Sequence, residues 1–305
     1  MVRFYPLADL ARMLDELFDV PRFAEPDGWD FGLTADEKAS LLSRASATFR
    51  ATFNGLVLAD DGDQRPVGRV YLVVFPTEEI VAEVLAAQEA YCAPAAILTH
   101  HPLSMRMRGV GFRAIPPSTL DALRTAGVAM YVMHSPLDCH PVISTSGALA
   151  DGLGLRRVGV FGPYVAGHSG VLGEQPPEPF DAFAERVRAL CELPHLLPSQ
   201  VRFAGRTVAR VAILAGGGDT VEDQREAEAL GADTYLAGQW WSPHDGAWAD
   251  GNRAALRAHL TTSRMSYLGC SHDGSELVVF RDRLAPLLES WGLETVLLRQ
   301  ADHWR

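Results

Sequence analysis

Thr99-His100-His101-Pro102 places two adjacent imidazoles at the end of a short apolar run, Ala95–Leu98. A second run, Val128–Met133, ends in His134-Ser135-Pro136-Leu137-Asp138, and a third, Met265–Gly269, leads into His272-Asp273-Gly274-Ser275-Glu276. Mixed imidazole and carboxylate donors suit zinc, iron, manganese, cobalt or nickel, and disfavour calcium or magnesium. The candidate ligands are His100, His101, His134, Asp138, His272 and Glu276. They exceed what one tetrahedral ion takes and fit two divalent transition metal ions bridged by a carboxylate or a water. Such a pair lowers the pKa of the shared water, so the implied chemistry is hydrolysis.

Local geometry limits how these residues can be presented. Neighbouring side chains on a strand point to opposite faces, so His100 and His101 belong where the strand ends and the chain turns, with Pro102 helping to end it. Pro136 disfavours a helix that starts before it, and a loop is expected to fold His134 and Asp138 inward. Gly274 permits a turn, and Ser275 is a candidate helix N-cap. His140, His168, His195, His259 and His303 read as structural residues. Cys92, Cys139, Cys191 and Cys270 form no CxxC pair and read as buried free thiols, with soft ligation or oxidation left open for Cys139 and Cys270 beside the ligands.

The elements that must carry these groups follow a repeated order. Leu7, Leu10, Leu14 and Phe18 recur at helical spacing, a helix is expected over Thr34–Ser46, and Thr52–Ala59 reads as a strand. Then come strand Val70–Phe75, helix Glu78–Glu89, strand Ala95–Leu98, helix Ser118–Ala126 and strand Val128–Met133. The order returns as strand Val208–Leu214, helix Val221–Leu230, strand Thr234–Ala237, helix Asn252–Thr261 and strand Met265–Gly269. Residues 162–173 and the proline-rich 175–180 read as a linker before a helix at 181–190; a last helix (284–292) and strand (295–298) follow. The fold class is therefore α/β, two related α/β lobes with mostly parallel βαβ units. Residues 1–160 form the first lobe, and 161–305 hold the linker and the second. In parallel sheets ligands bind beyond the carboxyl ends of strands, where all three histidine groups fall.

The chain has 305 residues, 48% of them hydrophobic and 21% charged, the balance of a globular protein. Its net charge of −11 argues against a general nucleic-acid or anionic-membrane binder. No signal peptide or membrane-length apolar segment is read, so the expected location is cytoplasmic, with no membrane and no nucleic acid as partner.

The three motifs together resemble the NIF-three-like dinuclear-metal proteins, whose members often carry the name type 2 GTP cyclohydrolase I. The family's His-His-Pro or His-His-Gly turn is matched by His100-His101-Pro102, its His-x-x-Leu-Asp by His134–Asp138, and its His-x-x-Ser/Thr-Glu by His272–Glu276. Supporting pieces are residues 148–155, Gly216-Gly217-Gly218 and Gly231-Ala232-Asp233. The resemblance covers roughly residues 50–300 and implies that the six candidates are the metal ligands. It further implies two lobes facing each other across a dinuclear metal site and a homo-oligomer, usually a hexameric ring. Cyclohydrolase is an inherited label within that family. Asn54-Gly55-Leu56 and Trp29–Leu33 are rival matches to the family's Asn-Gly-Leu. Gln239 stands after Gly238 where members usually have Gly-Glu, the loop Cys139–Val142 departs from the small-residue pattern, and the large inserted domain of longer bacterial members is not seen.

Around this site, Arg106, Arg108 and Arg113 are candidates for a substrate phosphate, and Gly217, Gln239 and His244 for other substrate contacts. Ala215–Asp219 lies between a strand and a helix, where backbone N–H groups could cradle phosphate, but it lacks the GxGxxG and GxxxxGK[ST] patterns. Trp240, Trp241 and Trp248 are candidates for walling a planar substrate. Two functions are compatible with these residues: a metal-dependent hydrolase acting on a small, phosphorylated or heterocyclic substrate, or a non-catalytic metal-binding scaffold.

Overall fold

The computed structural model describes residues 2–25, 34–101, 106–107, 110–111, 115–199, 207–243 and 246–300. The chain forms two compact units, each a mixed α/β structure. The first is built on Met1–Arg106, Gly111–His140 and Phe280–Ala301, and the second on Pro141–Val279. This division differs from a cut at residue 160 for a physical reason. The segment after Pro141 joins the second unit's helices and sheet, while the C-terminal segment adds a strand to the first unit's sheet.

The first unit's sheet contains β1 (Gly55–Val57), β2 (Arg69–Val73), β3 (Ala95–Thr99), β4 (Val128–Val132) and a C-terminal strand, Glu294–Leu297. Its order among the described residues is Glu294–Leu297, β2, β3, β4, β1, all parallel except β1. The strands are near-continuous apolar runs because both faces are covered. Val70, Ala96, Leu98, Tyr131 and Leu56 face helix α1 (Leu7–Phe18) around one apolar cavity. The alternate residues Tyr71, Val73, Ile97, Met130 and Val57 enter a second core with Ile80, Val84, Leu120 and Leu123. Those last four lie on helices α4 (Glu78–Tyr91) and α5 (Pro117–Thr125). Between α1 and α4, the expected 34–46 helix is shorter. It gives α2 (Ala35–Leu42), whose Thr34 and Glu37 form a capping box, and then α3 (Ala47–Thr52), capped by Ser46. The start of the strand expected at 52–59 is thus helix, and β1 is confined to 55–57.

The second unit's sheet is built from β5 (Arg156–Tyr164), β6 (Gly167–Pro179), β7 (Leu197–Ser199), β8 (Thr207–Gly217), β9 (Thr234–Gln239) and β10 (Ser266–Gly269). The order is β7, β10, β9, β8, β6, β5, with β8, β9 and β10 parallel. The expected linker over 162–180 is instead a long antiparallel hairpin, β5–β6, that extends this sheet. Its glycines make room for packing: a Cβ on Gly170 would come within 2.6 Å of the Phe161 ring, and one on Gly173 within 2.9 Å of Leu155. Pro176 and Pro177 fall where the register with β8 shifts, between Glu174 and Glu178, so these two interrupt no regular ladder. Among the described residues, no helix is long and apolar enough to cross a membrane.

Candidate metal centre

In the first unit, His100 and His101 follow the last residue of β3, and His134 follows Met133 just past the neighbouring β4. The ladder carries on past the strand: the His100 and His101 N–H groups donate to Val73 O (3.2 Å) and Val74 O (3.1 Å). The bend at His100 is held from inside, because the Thr99 hydroxyl, itself buried, donates to His101 O at 2.7 Å. The alternation rule is thereby broken, and all three imidazoles meet. Ring centroids lie 4.5 Å apart for His100–His101, 4.8 Å for His100–His134 and 5.0 Å for His101–His134. Their possible ligand atoms fall within 4.8 Å of one another. Phe75 stacks on His101 at 4.2 Å and fixes the plane of that ring.

His134 and Asp138 are joined by one helical turn, α6 (Ser135–Asp138), where the sequence pointed to a loop. Pro136 is accommodated because it sits in the first turn, where its missing N–H has no intrahelical partner to lose. The turn brings Asp138 Oδ1 to 3.5 Å from His100 Nε2. His100 Nδ1 is 2.9 Å from Met133 O, and a carbonyl can only accept, so the proton is on Nδ1 and Nε2 is the nitrogen that could bind a metal.

Two further residues of this unit stand against His134: Asn54, noted from sequence only as part of a rival motif match, and Glu25, which the sequence did not mark. Asn54 is buried, and its Oδ1 accepts from His134 N–H at 2.8 Å, which puts the Asn54-Gly55-Leu56 match beside a candidate ligand. The competing Trp29–Leu33 lies outside the described residues. Glu25, also buried, stands at His134 Nδ1, 3.2 Å through Oε2 and 3.3 Å through Oε1. No local pattern marks Glu25, since it lies 109 residues before the histidine it meets.

In the second unit, His272 and Glu276 lie on a helix, His272–Val279, separated from the end of β10 by two residues. Ser271 caps it, its Oγ accepting from Gly274 N–H at 3.2 Å. Ser275, the N-cap expected from sequence, lies inside the helix, donates to His272 O and accepts from Gly216 N–H at 2.9 Å. One helical turn sets His272 Nε2 3.1 Å from Glu276 Oε1. On the other side of the ring, Gln239 at the end of β9 places Oε1 3.2 Å from His272 Nδ1. Gly216, at the end of β8 with φ +75°, closes the cradle: a Cβ there would collide with Glu276 Oε1 and reach 3.0 Å from His272 Nε2. Each unit therefore offers its donors at the carboxyl ends of adjacent parallel strands.

The cysteines beside the candidate ligands, Cys139 and Cys270, are in no disulfide. Burial, with Asp138 and Glu25 nearby, pushes Cys139 up to about 12. Its hydrogen bond with Cys191, together with burial, holds Cys270 well above the usual range.

The remaining sequence candidates divide. Gln239, expected in a substrate pocket, is committed to His272, and Gly217 lies beside that ring, where a Cβ would stand 3.7 Å from His272 Cε1. The Gly-rich turn is a tight strand–helix connection and not an open phosphate cradle. Its N–H groups at Ala215, Gly216 and Gly218 already donate to Ser146 Oγ, Ser275 Oγ and Gln239 O. Arg108, Arg113 and His244 lie outside the described residues; Arg106 is placed in a short strand, Arg106–Met107, with its side chain outside them. The tryptophans serve different surroundings: Trp240 packs on Tyr267, Trp241 stacks under Arg257, and Trp248 is exposed.

Comparison with known proteins agrees with this architecture. A GTP cyclohydrolase 1 type 2 homolog of Pyrococcus horikoshii is 24% identical over 204 residues, 66% of this chain and 74% of the relative. One from Halobacterium salinarum is 30% identical over 178 residues, 58% of this chain and 64% of the relative. The solved structure of protein ybgI, described as of unknown function, shares the fold with a TM-score of 0.68 at 18% identity, covering 98% of this chain and 99% of the other. Since residues 42–302 match the profile of Duf34/NIF3 (NGG1p interacting factor 3), the chain belongs to that family.

Proposed function

We propose that the protein binds two divalent transition metal ions through His100, His101, His134, Asp138, His272 and Glu276, and uses them as a hydrolase of a small substrate. The observation that carries the reading is the state of the imidazoles. His100, His134 and His272 each have Nδ1 against an oxygen acceptor, which leaves Nε2 as the ligand atom, the arrangement metal-binding histidines use. The donor chemistry fits: three imidazoles and a carboxylate in one unit, an imidazole and a carboxylate in the other, all buried. Neither set alone satisfies two ions, and the proposal assigns both sets to one pair.

Bound ions would supply water activation near neutral pH and positive charge against a substrate oxygen. The protein's own part is to fix the tautomer and orientation of its ligands. Met133 O, Glu25 and Gln239 hold protons at the three Nδ1 atoms, Phe75 fixes the His101 ring, and Asn54 pins the backbone at His134. The names of the curated relatives point to GTP cyclohydrolase-type ring hydrolysis as one substrate class to include in a screen.

Metal analysis of the purified protein beside His101→Ala and Glu276→Ala, with phosphoester, amide and cyclic-amidine substrates screened on the same samples, tests this. Two ions per chain, lost in both variants together with an activity, is the expected result. Two ions with no turnover on any panel removes the hydrolase and leaves a scaffold, a reading favoured by the division of the candidate ligands between two compact units. Chelation would then lower thermal stability without any catalytic consequence.

A further inference from the structure

The helix Val221–Ala229 in the second unit begins on an uncommon pair of side chains. Thr220 is its N-cap, so Asp219 stands just before the cap and Gln224 is the fourth residue of the helix. Side chains at these two positions ordinarily meet as a hydrophobic staple. Here they are a carboxylate and an amide, and both are more than nine-tenths buried. The amide is fixed in orientation, because Gln224 Nε2 donates to Trp240 O at 2.7 Å and to Gly218 O at 3.4 Å. Turned over, it would set its oxygen against two carbonyls, which only accept. Gln224 Oε1 and Asp219 Oδ2 are left buried with no hydrogen-bond partner among the described residues, and two acceptors cannot bond each other. A third buried oxygen, Ser242 Oγ, is in the same condition. The three belong to one knot. Asn252 Nδ2 donates to Asp219 O at 2.6 Å, and the adjacent Arg253 donates through Nη1 to Ser242 O at 3.2 Å. Trp240 O, two residues before Ser242, is the carbonyl that Gln224 holds, and Tyr235 OH donates to Gly218 O at 3.0 Å. These donors all serve main-chain carbonyls, and none of these bonds reaches the three oxygens.

Buried acceptors without donors are costly, and a carboxylate among them calls for positive charge. A water would give two hydrogens and no charge. Three oxygens without imidazole or thiolate do not suit a transition metal. Calcium takes more oxygens than these, and magnesium keeps several waters of its own. A single carboxylate is balanced by a single positive charge. We propose that Asp219, Gln224 and Ser242 form a buried site for a monovalent cation of the K+ or NH4+ class, at the junction of the Gly-rich turn and the helix Val221–Ala229. The site is separate from the candidate transition-metal ligands and does not depend on their reading. Its effect on the fold is local: a Cβ built on Gly217 would lie 3.8 Å from Asp219 Oδ1 and 3.7 Å from His272 Cε1, so the ion stiffens the turn that lies beside the His272 ring.

The test is equilibrium dialysis of the full chain against radioactive Rb+, which stands in for K+, with thermal unfolding in KCl, NH4Cl and choline chloride at equal ionic strength. Wild type should take up Rb+ saturably, and K+ or NH4+ should raise its Tm where choline does not. Whichever of K+ and NH4+ displaces Rb+ at the lower concentration is the better fit. Asp219→Asn should weaken Rb+ binding by roughly 10-fold or more, because it removes the charge that faces the ion. Ser242→Ala deletes one oxygen and should weaken binding by a smaller factor. Glu222→Gln removes an exposed charge from the first turn of the same helix and should leave binding as it was. No saturable Rb+ uptake by wild type, or uptake unchanged in both Asp219→Asn and Ser242→Ala, overturns the site and leaves the three oxygens to water. Equal weakening in Glu222→Gln also overturns it, since the effect would then be one of general charge. If Asp219→Asn does not fold, Ser242→Ala decides. Transition-metal content, measured on the same samples, is expected to be the same in all four proteins whatever Rb+ does, so the two sites are judged apart.

Discussion

Gly216 is the residue on which the second donor set turns. Its φ of +75° suits glycine, and the space a Cβ would need is held by Glu276 Oε1 and His272 Nε2. Gly216→Ala is therefore expected to lower the stability of the metal-free protein by about 1–3 kcal/mol and to reduce metal content, checked by thermal unfolding and metal analysis. Normal metal content in that variant would mean that Glu276 is not a ligand. At this scale the sequence is informative where donors cluster within a few residues, as in His134–Asp138 and His272–Glu276. It is silent on Glu25 and marked Asn54 only as one of two rival motif matches, because hydrogen bonds across 109 and 80 residues leave no local pattern. Gln239 shows the opposite limit: its position was noticed, but only the folded ring of His272 beside it reveals what its amide does.

Among elements, the parallel strands and the helices that follow them were legible because apolar runs bounded by turns recur in the same order in both units. The hairpin β5–β6 was not. Glycine and proline are read as breakers, yet here the glycines admit the rings and side chains of Phe161 and Leu155 into the sheet. One helix–strand contact in the second unit makes a measurable claim. His259, in the last turn of the helix Ala247–Leu260, meets Tyr267 OH on β10 at 3.2 Å and Glu228 at 3.7 Å. Burial lowers its pKa, outweighing Glu228, which raises it; Arg225 lowers it further. The unfolded chain therefore takes up this proton first as pH falls through about 6.5. The contribution of the neutral ring is fully present above that value and is lost as pH drops toward the lower folded pKa. Urea unfolding at pH 8 and pH 5 should show a larger loss in wild type than in His259→Gln; equal losses would remove His259 from the account.

For the whole molecule, the chain leaves the first unit after His140 and returns to it at Phe280. The returning segment brings Phe280, Leu284, Leu288 and Leu293 into buried positions and pairs Glu294–Leu297 with β2. Deleting residues from 280 onward should expose β2 and β3 to rapid amide hydrogen exchange while β8, β9 and β10 keep their protection. Equal loss in both sheets would show that the units fold as one. The doubled α/β plan was legible in the sequence; this crossing was not, because a short final strand carries no mark of which sheet it joins.

The same return path has a consequence for a chain emerging from a ribosome. Every strand of the second sheet is made by residue 269, whereas the first sheet receives its outer strand only at residues 294–297. Domains tend to fold as units, in the order in which they are completed. The first unit's sheet is thus completed after the second unit's, and β2, beside the strand that leads into His100 and His101, keeps an open flank until residues 294–297 are made. The three-imidazole corner therefore waits for residues 294–297 to complete its support, after the His272–Glu276 side has been made.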